Sequence, residues 1–168
     1  MFVDESGVAT DMVRRYGRAP GGHRARGTAP YGRWERLTVL GGLSLAGLVA
    51  CMSVEGAADT AAVVAFTAHV LAPVLRPGQV VVMDNLAPHK ASRVRELIER
   101  AGCRLLFLPP YSPDFDPIEP AWSKLKALLR GLGARTTEAL HAALTARVDA
   151  ITAADARSFF RHCGYAVQ

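Results

Sequence analysis

The chain has 168 residues, of which 50% are hydrophobic and 21% are charged, and it carries a net charge of +5 at neutral pH. Its length corresponds to about one domain, long enough to bury a full core, and its composition excludes an intrinsically disordered chain. The positive charge suits an anionic partner such as nucleic acid, but a charge of this size does not identify one by itself. The opening residues, MFVDESG, lack the pattern of a signal peptide.

The first predicted element is a short hydrophobic strand, MFV, that ends at Asp4. A loop rich in Gly, Pro and Arg is predicted to follow over about residues 11 to 34. This loop is either a solvated, flexible segment or a surface that contacts phosphates, and the sequence favours neither. Its basic residues, with the one that follows it, are Arg14, Arg15, Arg18, Arg24, Arg26, Arg33 and Arg36.

Residues 37 to 54 carry no charge and reach the length of a membrane-spanning candidate. Glycines, a threonine and serines interrupt this stretch, however, and favour two β-strands instead. We predict the strands RLTVLGGLSL and GLVACMSV, joined near Gly47. A helix capped by Asp59 or Thr60 is predicted next, with its last turn weakened by Pro73.

The following segments alternate between strand and helix signals. QVVVMDN is a continuous β-branched run typical of a strand buried on both faces, and CRLLFLPP is predicted to be a second one. Between them, PHKASRVRELIERAG has the apolar spacing of a helix that ends at Gly102. This order predicts a βαβ unit with two parallel neighbouring strands.

Two further helices, about 117 to 130 and 136 to 151, and a short helical piece, AADARSFFRHC, complete the chain. The predicted fold class is therefore α/β. Three antiparallel strands are followed by parallel strands in one mixed sheet, which is flanked by helices.

Two acids directly follow predicted strands. Asp84 comes after QVVVM and Asp4 after MFV, and the carboxyl ends of strands are where open α/β sheets bind ligands. The alternative for Asp84 is a turn, formed with Asn85, that caps the next helix. Glu5 follows Asp4 at once, and because side chains alternate along a strand, only one of these two acids can face a shared site. Asp4 is the expected one, because its place after the strand matches that of Asp84.

Glu119 lies at the start of a predicted helix, behind a proline-rich loop, PPYSPDFDP. The structural alternative is a helix start with Asp116 as N-cap, Pro117 in the first position and Glu119 as a capping-box acid. Pro120 lacks the N–H needed for the first intrahelical bond, so this start is not a simple cap. A stiff entry and a packed helix would instead hold the carboxylate of Glu119 in a fixed geometry.

Three carboxylates on one face of a sheet suggest a metal site. Carboxylate oxygens suit hard divalent cations, so the expected ligands of Mg²⁺ or Mn²⁺ are Asp4, Asp84 and Glu119. Two such ions, about 4 Å apart, can activate a water and stabilise a leaving oxygen in phosphoryl transfer. The three cysteines are far apart in the sequence, which predicts neither a zinc site nor a disulfide framework and fits a reducing cytosol.

The chain resembles the catalytic domain of DDE transposases, in the bacterial insertion-sequence branch of the mariner superfamily. The resemblance is carried by FVDESG, VVMDNLAPHK, LLFLPPYSPDFDPIEPAWSKLK and FFRHCGY, and 34 residues (85 to 118) separate the second and third acids. It implies a ribonuclease-H-like fold and a catalytic site in which the three acids hold two metal ions. Residues expected to support the site or position DNA are Asn85, His89, Asp116 and Lys90. Weaker DNA contacts are expected from Arg14, Arg15, Arg18, Arg24, Arg26, Lys124 and Lys126.

The resemblance also implies a function: cleavage of DNA at transposon ends, followed by joining of the freed 3′ hydroxyl to a target. DNA is then the partner, and the active complex is a homodimer in the bacterial cytoplasm, at the nucleoid and not at a membrane. Family members carry an N-terminal helix-turn-helix region that reads the ends, whereas Asp4 is almost the first residue here. We therefore expect residues 1 to 168 to form a single catalytic domain. The end-reading region is then encoded in a second reading frame, lost because the chain is a remnant, or left out because the chain is a deliberate fragment.

Two alternatives remain open at this stage. The chain is either an active transposase domain or a catalytically idle remnant that binds DNA or dimerises, and a nuclease of the same fold is a more distant possibility. The presence of all three acids favours the enzyme. Asp116 departs from the family pattern, which has Asn before Pro-Ile-Glu, and a helix cap is the favoured interpretation of this extra acid.

Overall fold

The computed structural model describes residues 1–110 and 112–167 of the chain. Its strands are β1 (Phe2–Ala9), β2 (Arg36–Ser44), β3 (Gly47–Glu55), β4 (Val80–Met83) and β5 (Arg104–Phe107). Its α-helices are α1 (Thr60–Phe66), α2 (Ser92–Arg100), α3 (Ile118–Leu132), α4 (Thr137–Arg147) and α5 (Ala153–His162). The strands form one mixed sheet in the order β3-β2-β1-β4-β5, which confirms the predicted fold class.

The antiparallel half of the sheet is a meander of the first three strands. β1 pairs with β2 along its whole length, and β2 pairs with β3 through a tight turn that ends at Gly47. Residues 37 to 54 are therefore two strands, as predicted. Within the described part of the chain, no helix is long and apolar enough to cross a membrane.

Strand β1 is longer than the sequence indicated. We predicted a strand that ends at Asp4, but β1 continues to Ala9 because β2 supplies backbone partners as far as the pair formed by Ala9 and Arg36. Asp4 consequently lies within the strand, opposite Gly41, rather than in a loop that follows it.

The parallel half of the sheet contains the predicted βαβ unit. β4 runs parallel to β1 and to β5, and α2 makes the connection between β4 and β5. The prediction that β5 is buried on both faces is wrong. This strand forms an edge of the sheet, so Arg104 is exposed and Leu106 retains 45% of its accessible surface.

Several helices differ from the predicted spans at their ends. Asp59 caps α1 through a bond from the N–H of Ala62 to its carboxylate (2.8 Å), and the chain then continues as a π-helical turn and a 3₁₀ turn that contains Pro73. Residues 88–90 form a separate 3₁₀ turn, so α2 begins only at Ser92.

The sheet separates two hydrophobic layers. The layer under α3, α4 and α5 includes Phe2, Leu43, Trp122, Leu125 and Leu129. The layer under α1 and α2 includes Val3, Leu40, Val81, Met83 and Ile98. Because Phe2 and Val3 face opposite layers, the next two residues of β1 do the same: Asp4 lies on the side of α3 and Glu5 on the side of α2.

Candidate active site

A cleft of about 420 Å³ opens where β1, the end of β4 and the start of α3 meet. All three predicted metal ligands line it: Asp4 from β1, Asp84 from the residue after β4, and Glu119 from the first turn of α3. The structure thus brings together residues that are up to 115 positions apart in the sequence. The remaining wall is formed by Asn85, Leu86, Leu108, Pro109, Pro110, Ser112, Pro113 and Asp116.

Asp4 is the most enclosed of the three acids and is oriented by α3. Its Oδ2 accepts a hydrogen bond of 2.9 Å from Nε1 of Trp122. Burial, together with the negative charges of Asp116 and Glu5, raises the pKa of Asp4 from 3.8 to about 7, although the bond from Trp122 favours the charged form. The carboxylate of Asp4 therefore lies in a region of uncompensated negative charge, which a cation would neutralise.

Asp84 is held by two donors on the same oxygen. Its Oδ1 accepts the N–H of Leu86 at 3.0 Å and lies 2.5 Å from Nδ1 of His89. Partial burial disfavours the charged form of Asp84 and by itself would raise the pKa of this residue. The hydrogen bonds from His89 and Leu86 and the positive charges of His89 and Lys90 outweigh that effect and lower its pKa. Asp84 is thus ionised and fixed in one orientation.

His89 lies behind Asp84, between that residue and Glu5, with only 1% of its surface exposed. Its Nε2 is 2.9 Å from Oε2 of Glu5, an ion-pair distance that does not meet the angular requirements of a hydrogen bond. Burial alone would lower the pKa of His89, but its contacts with Asp84 and Glu5 overcome this effect and raise the pKa to about 9. His89 is therefore a buried cation between two acids.

Asp116 and Glu119 frame the start of α3, and among the described residues the capping box considered as the structural alternative does not form. Asp116 accepts the N–H of Ile118 at 3.2 Å, but its own N–H donates to the carbonyl of Pro113, and Pro117 already has helical backbone angles. Among the described residues, the side chain of Glu119 has no capping contact. Its carboxylate is exposed in the cleft wall and is free for another role.

Asp116 also contributes to the electrostatics of the cleft. Burial raises its pKa to about 6, and the charges of Glu119 and Asp84 act in the same direction against the bond from Ile118. Asp116 therefore caps α3 as favoured above and, in addition, adds a fourth carboxylate to the group formed by the three predicted acids.

The donor set fits a hard divalent cation, because the acids offer oxygen ligands and their mutual repulsion is relieved by positive charge. Within residues 1–110 and 112–167, no three His, Cys, Asp or Glu side chains are gathered closely enough to hold an ion. The carboxylates thus share one cleft without the convergence to a single point that would form a finished coordination shell. Hydrogen bonds turn Asp4 towards Trp122 and Asp84 towards His89.

The other residues predicted near the site have distinct contacts. The side-chain amide of Asn85 donates to the carbonyl of Leu108 and so ties the segment after β4 to the segment after β5. Lys90 is exposed in the 3₁₀ turn beside Asp84. Nζ of Lys124 is committed to an ion pair of 2.6 Å with Asp155 at the start of α5, which conflicts with the predicted DNA contact. Lys126 is half-buried on α3.

The arginine-rich loop lies against the far end of α3. Two neighbouring grooves are lined by its arginines and by others from α3, the α3–α4 connection and α4, and we call this the basic surface: Arg14, Arg15, Arg18, Arg26, Arg130, Arg135 and Arg147. Nη1 of Arg135 fastens the loop by donating to the carbonyls of Thr10 (2.8 Å) and Met12 (2.9 Å). Arg24 does not line these grooves.

Sequence reasoning missed four contributors to this arrangement. Trp122 was not assigned to the site, and Glu5 was set aside because only one of the two adjacent acids can face a shared site. Arg130 and Arg147 were not grouped with the loop, because only the fold brings them to it. A signal for Glu5 did exist: it is an acid in a strand at a position that alternation places on the buried face under α2.

The comparisons with known proteins agree with this geometry. A family model described as DDE superfamily endonuclease matches residues 1–141 of the chain. A comparison with curated proteins found no match.

Three solved structures with similar folds contain the mariner transposase Mos1. A paired end complex with Mg has a TM-score of 0.64 at 17% identity, over 96% of this chain and 53% of that one. A strand transfer complex has a TM-score of 0.63 at 18% identity, over 96% and 50%. A catalytic domain with raltegravir and Mn has a TM-score of 0.62 at 14% identity, over 96% and 78%. At these identities the likeness establishes the predicted ribonuclease-H-like fold, and the chain spans about half of the length of the chains in the two complexes.

Proposed function

The chain belongs to the DDE superfamily endonuclease family, and from this premise we propose that it is a transposase catalytic domain. Its reaction is metal-dependent cleavage of DNA at transposon ends, followed by transfer of the 3′ hydroxyl to a target strand. The observation that carries the proposal is the cleft in which Asp4, Asp84 and Glu119 lie together. Three carboxylates from a central strand, a strand end and a helix start have no shared structural role that explains this arrangement.

In this mechanism the three acids would hold one or two divalent cations, Mg²⁺ or Mn²⁺, through carboxylate oxygens. Such ions, when bound, activate the attacking oxygen and stabilise the leaving oxygen of the phosphodiester. Trp122 fixes Asp4 through its Oδ2, and the backbone N–H of Leu86 fixes Asp84 through its Oδ1. Asp116 adds negative charge beside the ligands and keeps Glu119 at the helix start through the cap on Ile118. No side chain acts as the nucleophile.

The basic surface is proposed to bind the phosphate backbone of the DNA. It contains seven arginines and no acid among its lining residues, and such contacts are independent of base sequence. Arg130 lies eleven residues beyond Glu119 on the same helix, which corresponds to about 16 Å along the axis. A duplex held there would therefore lead into the cleft within a few nucleotides, and Arg24 and Lys126 would add weaker contacts.

Recognition of the transposon ends is assigned to a region outside residues 1 to 168. This assignment is supported by the length comparison, since the chain spans about half of the matched transposase chains. The Mos1 structures are described as paired end and strand transfer complexes. By analogy, we propose that this domain also acts as a homodimer on paired DNA ends, in the bacterial cytoplasm.

The proposal is tested by nicking of supercoiled plasmid DNA in the presence of Mn²⁺ or Mg²⁺. The chain should produce nicked circles that disappear on chelation, and Asp4→Asn or Asp84→Asn should reduce nicking by orders of magnitude. Glu96→Gln, which removes an acid from the exposed face of α2, is the matched control and should nick normally. DNA binding without nicking by any form would instead support the idle remnant.

A further inference from the structure

A buried histidine, His89, lies between Asp84 of the cleft and Glu5, whose side chain is on the face of the sheet opposite to Asp4. His89 is 1% exposed, and each of its ring nitrogens meets an acid: Nδ1 lies 2.5 Å from Oδ1 of Asp84, and Nε2 lies 2.9 Å from Oε2 of Glu5. Oε2 of Glu5 is itself buried, and among the described residues it has no well-aligned hydrogen bond. One carboxylate oxygen of Glu5 is thus kept away from water, on the face of the sheet that does not line the cleft.

We propose that Glu5 and His89 form a positioning pair for Asp84. His89 holds one carboxylate oxygen of Asp84 so that the other faces the cleft, and Glu5 fixes the ring that does so. The inference rests on the proposed function, in which Asp84 is a metal ligand. It assigns a function to Glu5, and also to the position of His89 shortly after Asp84 in the sequence.

The hydrogen bonds of Asp84 divide its two oxygens. Oδ1 accepts from both the N–H of Leu86 and Nδ1 of His89, whereas Oδ2 has no protein donor among the described residues. A carboxylate fixed through one oxygen presents the other in a defined direction, and ligating carboxylates are commonly held in this way by a neighbouring hydrogen bond. Without the imidazole, one N–H of a loop residue would be left to orient Asp84.

Glu5 also links the two halves of the site through β1. It directly follows Asp4 in the strand, and the two side chains lie on opposite faces of the sheet. A shift of β1 would therefore move Asp4 and, through Glu5 and His89, Asp84 together. The pair keeps two ligands from different strands in a constant relation.

The test is Mn²⁺ binding to the chain without DNA, measured by titration calorimetry and by the electron paramagnetic resonance signal of free Mn²⁺. Glu5→Gln keeps the size of the side chain and removes its charge, and His89→Asn removes the bridge between the acids. Each should weaken Mn²⁺ binding by about tenfold or more, the usual effect of losing a partner that orients a ligand. Glu96→Gln, an equal change of charge on α2, should leave the affinity unchanged.

The double variant separates positioning from simple attraction by a distant charge. If Glu5 acts through the ring, Glu5→Gln should cause little further loss when His89→Asn is already present. Losses that multiply in the double variant would overturn the proposal. Thermal unfolding followed by circular dichroism identifies any variant that has lost its fold, and Glu5→Gln carries the test if His89→Asn does not fold.

Asp84→Asn separates this inference from the function on which it rests. If Asp84→Asn abolishes Mn²⁺ binding while Glu5→Gln and His89→Asn retain the affinity of the unaltered chain, the positioning pair is refuted and the metal site stands. If Asp84→Asn itself binds Mn²⁺ normally, the proposed metal site fails and the inference fails with it. Weakened binding in all three variants supports both.

Discussion

Trp122 donates a hydrogen bond of 2.9 Å from its Nε1 to Oδ2 of Asp4, and the two residues are 118 positions apart in the chain. This bond connects α3 to the central strand of the sheet. Glu119 lies three residues before Trp122, one turn earlier on the same helix. The bond therefore sets the place of Glu119 relative to Asp4, and the packing of one indole ring controls the geometry of two proposed ligands.

The first prediction concerns the space that this ring occupies. Gly41 pairs with Asp4 across β1 and β2, and a Cβ atom there would overlap Cη2 of Trp122 and lie 2.9 Å from its Cζ2. Gly41→Ala should lower the free energy of unfolding by about 1 to 3 kcal/mol and displace the indole. Nicking should fall in the fraction that remains folded. Gly7→Ala is the control, because a Cβ at Gly7 meets nothing within 4 Å, and an equal loss in both variants would contradict the prediction.

The second prediction concerns Glu119, whose side chain is exposed in the cleft wall. Glu119→Gln keeps the size of the side chain and removes the charge that holds a cation. Nicking should fall by orders of magnitude, while stability should change by less than about 1 kcal/mol, since no capping box is lost. Denaturant unfolding and plasmid nicking measure the two quantities. Near-normal nicking by the variant would exclude Glu119 from the metal site.

The third prediction is a fall in stability with rising pH when divalent cations are chelated. Folding raises the pKa of Asp4 from 3.8 to about 7 and that of Asp116 to about 6, so the folded chain keeps protons that the unfolded chain has released. Stability must then decrease as the pH rises from about 4 to about 7. His89, whose pKa rises from 6.5 to about 9, extends the decrease to higher pH.

Thermal unfolding between pH 4.5 and 8 in chelator measures this slope. Asp4→Asn should flatten it, and saturating Mn²⁺ should reduce it, because a cation favours the ionised carboxylates. Stability that rises across this range would mean that the cleft does not hold the acids in their protonated forms.

The fourth prediction concerns the basic surface. Arg130→Gln and Arg147→Gln should each weaken the binding of any duplex, whatever its sequence, and should lower the slope of log affinity against log salt by about 1. Arg100→Gln removes the same charge from the exposed end of α2 and should change the slope less. Fluorescence anisotropy with two unrelated duplexes over a range of salt concentrations measures both effects. A sequence-dependent loss would indicate base contacts instead of phosphate contacts.

The sequence predicted the elements whose signals are local. The glycines and the threonine and serines in residues 37 to 54 predicted the β2–β3 hairpin, and the continuous β-branched run before Asp84 predicted β4. The three acids could be proposed because two of them follow a short hydrophobic run and the third stands at a predicted helix start. These features depend on a few neighbouring residues, which is the range that sequence patterns describe.

Features that depend on distant partners were not predictable in the same way. The length of β1 is set by pairing with β2, and the exposure of β5 is set by the absence of a sixth strand in the described sheet. Lys124 looked available for DNA until the fold placed Asp155 beside it. Glu5 was recognised as facing away from Asp4, but its contact with His89 requires the tertiary arrangement of β1 and the turn after β4.

The order of strands in the sheet differs from their order in the chain, and this has a consequence for synthesis. β1 is made first but lies at the centre, so its parallel neighbour is missing until residue 83 has been translated, and the indole that orients Asp4 appears only with residue 122. A nascent chain can form the antiparallel meander early, but it cannot assemble the cleft before α3 emerges from the ribosome. Truncated products that end before α3 would therefore contain two of the three acids and lack the helix that orients Asp4.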